Sequence, residues 1–130
     1  MQANCAGAYS VLDAVLNRCL EDKVDIALLQ EPPDFFIKRV SRGIRFYPES
    51  MGERRMSIIV VLNKDLIVES HLCMRTFVMI QLKSPRCSII SCYMRPRGDI
   101  RIDFEELNAA CFNQDIECLI GGDFNARSEL

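Results

Sequence analysis

The sequence predicts an α/β domain: a mixed, largely antiparallel sheet with flanking helices. Three observations carry this. Two stretches, one near each end of the chain, place apolar residues at helical spacing. Between them lie short runs rich in Ile, Val and Phe, of strand length and composition. The links between those runs are short and suit antiparallel hairpins. Helix, strand, antiparallel strands, helix, strand is the order of a mixed-sheet α/β domain.

Val11, Leu12, Val15, Leu16, Cys19 and Leu20 make one helical stripe. Ser10 is the expected N-cap, Asp13 gives an acidic first turn, and the helix ends near Lys23. Val24–Gln30 is short and apolar and is stopped by Pro32-Pro33, which reads as a buried strand. Residues 34–56 have no clear period and contain Gly43, Pro48 and Gly52, so they read as loop, with a short strand around Ile44–Tyr47. Ser57–Leu62, Thr76–Leu82 and Cys87–Tyr93 read as strands, and the alternating Leu66–Leu72 as an edge strand. Asn63-Lys64-Asp65 and Lys83-Ser84-Pro85-Arg86 are the expected hairpin links. Arg95–Gly98 is a turn. Residues 101–113 read as a helix with Phe104, Leu107, Ala110 and Cys111 on one face. Ile116–Ile120 is a last apolar strand, broken by Gly121-Gly122.

With 130 residues the chain has room for one core, and its 49% hydrophobic content excludes a disordered tail. Its longest apolar runs, such as Ser57–Leu62, are too short to span a bilayer, and no basic segment leads into an apolar one at the start, so neither a membrane nor a secretory route is expected. The seven cysteines are odd in number and form no C-x-x-C pair. Most of them read as small buried hydrophobes, in a reducing compartment, nucleus or cytoplasm. Sixteen bases against eighteen acids give a net charge of −2. That near-neutral sum hides a basic middle: Lys38, Arg39, Arg42, Arg45, Arg54 and Arg55, then Lys83, Arg86, Arg95, Arg97 and Arg101. Such a cluster is either a set of solvated loops or a surface that meets phosphate. His71 is the only histidine available to acid–base chemistry.

In sheets of this kind chemistry gathers at the carboxyl ends of strands. Glu31, Tyr93, Asp123 and Asn125 stand at three such ends. Each has a structural explanation by itself. Glu31 precedes a Pro-Pro stop, Tyr93 is an amphipathic strand terminus, and Gly-Asp-Phe-Asn is a natural Asx turn. Together they form a hard-oxygen set suited to Mg²⁺, with donors for phosphate oxygens beside it.

Leu28-Leu29-Gln30-Glu31-Pro32, followed far downstream by Gly121-Gly122-Asp123-Phe124-Asn125-Ala126, resembles the endonuclease/exonuclease/phosphatase superfamily. Gln2-Ala3-Asn4 matches its first motif, and Ser91-Cys92-Tyr93-Met94-Arg95-Pro96 its central Tyr motif. Within the superfamily the chain is most similar to the apurinic-endonuclease-like domain of non-LTR retrotransposons, of the arthropod clade that targets ribosomal DNA. Asp25–Pro32, Val60-Val61-Leu62-Asn63 and the run from Ile120 to Ser128 carry that likeness. Pro33, where relatives usually have an aromatic, and Arg95, where they often have Pro, depart from the pattern.

The resemblance implies part of a four-layer α/β sandwich, with the second sheet incomplete or absent and residues 1–130 a partial domain truncated at both ends. It implies hydrolysis of a DNA phosphodiester in a target-site duplex with Mg²⁺ (or Mn²⁺), and a downstream reverse transcriptase in the intact protein. Glu31 and Asn4 would serve the metal. Asp123 would activate the attacking water, Asn125 would hold water or phosphate in line, and Tyr93 would donate to a phosphate oxygen. Arg95 and Arg127 would contact substrate. The family's C-terminal His motif has no counterpart here, since His71 precedes Asp123. The chain alone is therefore expected to be nearly or wholly inactive. The alternatives are a non-catalytic remnant that binds nucleic acid or a partner, and a superfamily phosphatase or deadenylase acting on another phosphoester.

Overall fold

The computed structural model describes residues 1–34, 43–49, 55–112 and 115–125. In chain order these form β1 (Gln2–Asn4), α1 (Tyr9–Glu21), β2 (Ile26–Gln30), β3 (Arg45–Tyr47), β4 (Ser57–Val61), β5 (Val68–Cys73), β6 (Phe77–Leu82), β7 (Cys87–Tyr93), α2 (Ile100–Phe112) and β8 (Glu117–Asp123).

Two four-stranded sheets result, ordered β1-β2-β4-β3 and β5-β6-β7-β8. Each has one parallel pair, at the edge where a helix makes the crossover. β1 runs parallel to β2 across α1, and β7 parallel to β8 across α2. All other pairs are antiparallel.

Side-chain alternation separates three cores. Ala27, Leu29, Ile58 and Val60 face outward and bury Leu12 and Cys19 of α1. Leu28, Ile59 and Val61 face inward against Val78, Ile80, Leu82 and Ile89 of the other sheet. Phe77, Met79, Ile90 and Cys92 face outward under Leu107 of α2. The layers are thus helix, sheet, sheet, helix. A strand covered on both faces is buried along its length and mostly apolar, which explains the near-continuous burial of β4 and β7.

Several expectations are corrected. The second sheet, expected to be incomplete or absent, is not absent: four strands form it, and beyond β8 no further strand pairs with it among the described residues. The first strand in the structure is Gln2–Asn4, short and paired in parallel with Leu28–Gln30. Asn63–Asp65 does not close a hairpin, because β4 and β5 lie in different sheets. The Arg45 guanidinium pins that link by donating to the carbonyls of Asn63 and Leu66. Ser10 is inside α1. Its N-cap is Ala8, in extended conformation and without a side-chain cap. Gly121-Gly122 does not end β8, which runs on to Asp123. Cys118 is exposed rather than buried, because the first four residues of the edge strand β8 are open to solvent. The alternating edge strand and the Lys83–Arg86 hairpin are as expected. His71 sits on β5, opposite Ile80, with its ring 5.3 Å from that of Tyr47.

Candidate active site

The site forms where β1, β2, β7 and β8 end together. Parallel pairing sets Asn4 beside Gln30 and Tyr93 beside Asp123, so two strands from each sheet deliver polar residues to one edge. Close contact between the sheets lets them meet. A Cβ on Gly121 would lie 2.6 Å from Leu28 Cδ1, and one on Gly122 would overlap the Cys92 carbonyl oxygen. Only glycines allow β8 this near, which is why the Gly-Gly pair precedes Asp123.

The Asn4 amide bridges the two carboxylates. Its Nδ2 donates to Glu31 Oε1 at 3.0 Å and to Asp123 Oδ2 at 3.4 Å, while its Oδ1 accepts the Ala6 backbone N–H at 2.8 Å. Asp123 Oδ1 accepts the Asn125 N–H at 3.0 Å, so the Asx turn expected as the structural explanation exists alongside the site. Asn125 Nδ2 donates to the Met94 carbonyl at 2.7 Å. The buried Tyr93 shares hydrogen bonds with Glu31 and Asn125. Burial, then the charge of Glu31 and its hydrogen bond, then Asp123, push the phenol above its ordinary value. Tyr93 is therefore a neutral O–H donor at physiological pH. Burial, and after it the charge of Asp123, push the neighbouring Cys92 thiol up to about 12, which makes it inert.

Glu31 and Asn125 both sit in the left-handed region, with φ of 47° and 44°. Asn tolerates this conformation and Glu rarely adopts it. Two backbone bonds hold Glu31 there: its N–H donates to Met56 O, and its carbonyl accepts from Gly7 N–H, each at 2.8 Å.

Two carboxylates on an open edge fit Mg²⁺, which commonly takes one or two carboxylates and fills its remaining positions with water and substrate phosphate. No group of three or more His, Cys, Asp or Glu side chains gathers around a common point among the described residues, so an all-protein cage is not built here.

No protein-family model matches the sequence, and no curated protein is significantly similar to it. Solved structures do match. The "Endonuclease domain of TRAS1, a telomere-specific non-LTR retrotransposon" superposes on 98% of this chain with a TM-score of 0.79, at 24% sequence identity. This chain shares the fold of that endonuclease domain. It spans 58% of that domain's length. The resemblance read from the motifs is thus borne out at the level of fold.

Within this fold the structure brings together Asn4, Glu31, Tyr93, Asp123 and Asn125. Arg95 is beside them, on the wall of a groove of about 830 Å³ that also takes in Tyr93, Arg75, Arg97 and Met56. Arg127 lies outside the described residues, as do Lys38, Arg39, Arg42 and Arg54. Among the described residues, the members of the basic middle do not form one surface. Arg45 is bonded to backbone carbonyls, and Lys83 and Arg86 occupy the turn at the opposite end of β7. The arginine of this groove that the sequence did not point to is Arg75. Its guanidinium pairs at 3.0 Å with the buried Asp103 of α2, a contact between distant segments that no local pattern signals.

Proposed function

We propose that this chain is the nicking portion of a metal-dependent phosphodiesterase that acts on a DNA duplex. The observation that carries the reading is the meeting of Asn4, Glu31, Tyr93, Asp123 and Asn125, from segments far apart in sequence, at one edge of an endonuclease-type fold. The fold relative's description as a retrotransposon endonuclease supports DNA as the substrate class and a reverse transcriptase as a companion. Seven free cysteines support a reducing compartment, nucleus or cytoplasm.

Glu31, with Asn4 beside it, would hold Mg²⁺ or Mn²⁺. A divalent cation bound there supplies Lewis-acid polarisation of the scissile phosphate and offsets the charge that develops on it. Asp123 accepts a proton from the attacking water, and its Asx turn fixes the carboxylate for that task. The neutral Tyr93 phenol donates to a non-bridging phosphate oxygen. Asn125 orients the water or that phosphate from the same side. Arg95, and Arg127 in the segment after Asn125, would meet flanking phosphates, and the Arg75–Arg95–Arg97 groove gives the DNA backbone a path away from Tyr93.

These 130 residues should turn over slowly. His71 is on β5, at the far edge of the second sheet, and no cationic side chain bonds Glu31 or Asp123 among the described residues. Each missing electrostatic donor costs roughly 10²–10³ in rate. The test is single-turnover nicking of a supercoiled plasmid with excess protein and Mg²⁺. Slow nicking is expected, abolished by chelator and reduced at least about 10²-fold in Glu31→Gln and in Asp123→Asn. Salt-dependent DNA binding without metal-dependent nicking would instead identify a non-catalytic DNA-binding chain.

A further inference from the structure

The space between the two sheets is apolar along most of its length, filled by Leu28, Ile59, Val61, Val78, Ile80 and Ile89. At the end beneath the site it turns polar. Gln30 and Ser91 are 0% exposed and Ser57 4%. They form one chain with Gln2: Gln2 Nε2 donates to Gln30 Oε1 at 2.9 Å, Gln30 Nε2 donates to Ser91 Oγ at 3.0 Å, and Ser57 Oγ donates to Ser91 Oγ at 2.7 Å. The chain therefore crosses from the first sheet to the second.

Apolar side chains of similar size would fill this space at no loss of stability, since a buried polar group only recovers its desolvation through its bonds. What such residues lack is direction. Apolar layers slide against each other at little cost, whereas hydrogen bonds between fixed atoms hold a single register.

We propose that Gln2, Gln30, Ser57 and Ser91 are positioning residues: an inter-sheet clamp that sets the distance between Glu31 and the Tyr93–Asp123 edge. Their places in the strands carry the argument. Gln30 immediately precedes Glu31. Gln2 is two residues before Asn4 on β1, and Ser91 two before Tyr93 on β7. Ser91 also pairs with Gly121, two before Asp123 on β8. Ser57 follows Met56, whose carbonyl holds the Glu31 N–H. Every strand that brings a residue to the site thus has a clamp member, or its paired neighbour, one or two residues below. The two carboxylates come from different sheets and repel each other, so their separation needs support from beneath. The strained φ of Glu31 needs it too, since such a conformation persists only when its surroundings over-determine it.

The clamp rests on the metal-site reading only for its consequence, not for its existence, and the test separates the two. Gln30→Met and Ser91→Ala are compared with Ile80→Val, which loosens the same inter-sheet core away from the site. Amide hydrogen exchange is followed by NMR on the whole chain. In the clamp variants, exchange at Asn4, Glu31 and Asp123 should rise by about 2- to 10-fold, the size of one net hydrogen bond, above any general increase. In Ile80→Val these amides should change no more than the rest of the sheets. If the clamp variants and Ile80→Val give the same uniform pattern, the clamp has no positioning role. Mn²⁺ affinity, read by water-proton relaxation without turnover, should fall about 10- to 100-fold in the clamp variants and stay unchanged in Ile80→Val. A wild-type chain that binds no Mn²⁺ removes the metal reading, while exchange still decides the clamp. Should Gln30→Met not fold, Ser57→Ala at the end of the chain of bonds gives the same readouts with smaller changes.

Discussion

Glu31 combines a carboxylate in hydrogen-bond contact with Asn4 and Tyr93 and a φ of 47°. A left-handed conformation costs an L-residue roughly 1–2 kcal/mol, and glycine is spared that cost. The strain is measurable by comparing two variants that lose the same carboxylate. Glu31→Gly should be about 1 kcal/mol more stable than Glu31→Ala in urea unfolding, the reverse of their usual order in regular structure, and both should lose metal-dependent nicking. Equal stabilities, or Ala above Gly, would remove the strain argument. The chemical identities at the site were legible from the sequence because Gln-Glu-Pro and Gly-Asp-Phe-Asn are compact, and strand termini are where such residues act. The strain at Glu31 was not legible. Asn at position 125 hints at positive φ, but nothing about Glu does, and its backbone is held by Met56 and Gly7, which are remote in sequence. The clamp escaped for a similar reason. Ser57 and Ser91 read as ordinary members of apolar strands until the two sheets are stacked.

At the scale of the element, β8 gives the clearest difference between pattern and structure. Glycine usually signals a break, and on that rule the strand ends at Ile120. It continues because Gly121 and Gly122 occupy positions where β8 presses on Leu28 of the other sheet and on Cys92 of β7. The two glycines should respond differently to an added methyl. On Gly121 it meets the end of the flexible Leu28 side chain, which gives way more easily than backbone. On Gly122 it meets the Cys92 backbone carbonyl, which cannot move without breaking the Cys92–Gly122 pairing. Gly122→Ala should therefore cost about 3 kcal/mol or more, at or above the top of the overpacking range, and Gly121→Ala about 1 kcal/mol, both read by urea unfolding. Gly122→Ala also displaces Asp123, so metal-dependent nicking should fall more steeply than stability. The start of α1 was misplaced for a simpler reason. Ser10 has the chemistry of an N-cap, but the chain enters the helix two residues earlier at Ala8, which has no side chain to cap with.

For the whole molecule, the α/β class and nearly every strand were legible because continuous apolar runs of strand length report burial on both faces. Which run joins which sheet was not. Periodicity describes the faces of a strand but not its neighbours, so the Asn63–Asp65 link passed for a hairpin when it is the crossing between sheets. The layered burial has a consequence for alkaline stability. Burial pushes the Cys5 thiol from an ordinary 9.0 up to about 11 and the Cys92 thiol up to about 12, and it also raises Cys19, Cys73, Tyr47 and Tyr93. Between the ordinary and the raised value, the unfolded chain has released protons that the folded chain still holds. Protons bound are then fewer in the unfolded state, so stability falls as pH rises. The stabilising effect of these neutral thiols and phenols is complete below the ordinary thiol value and is lost progressively above it. The urea midpoint should be flat with respect to these groups below about pH 8 and decline from about pH 9 through 11–12. Cys5 and Cys92 belong to different cores, one under each helix, so their contributions should be separable. Cys5→Ala and Cys92→Ala each lower the midpoint at neutral pH by leaving a small cavity, and each should flatten the alkaline decline, with the double variant flattening it by the sum. A decline of unchanged slope in the double variant would place the alkaline sensitivity elsewhere.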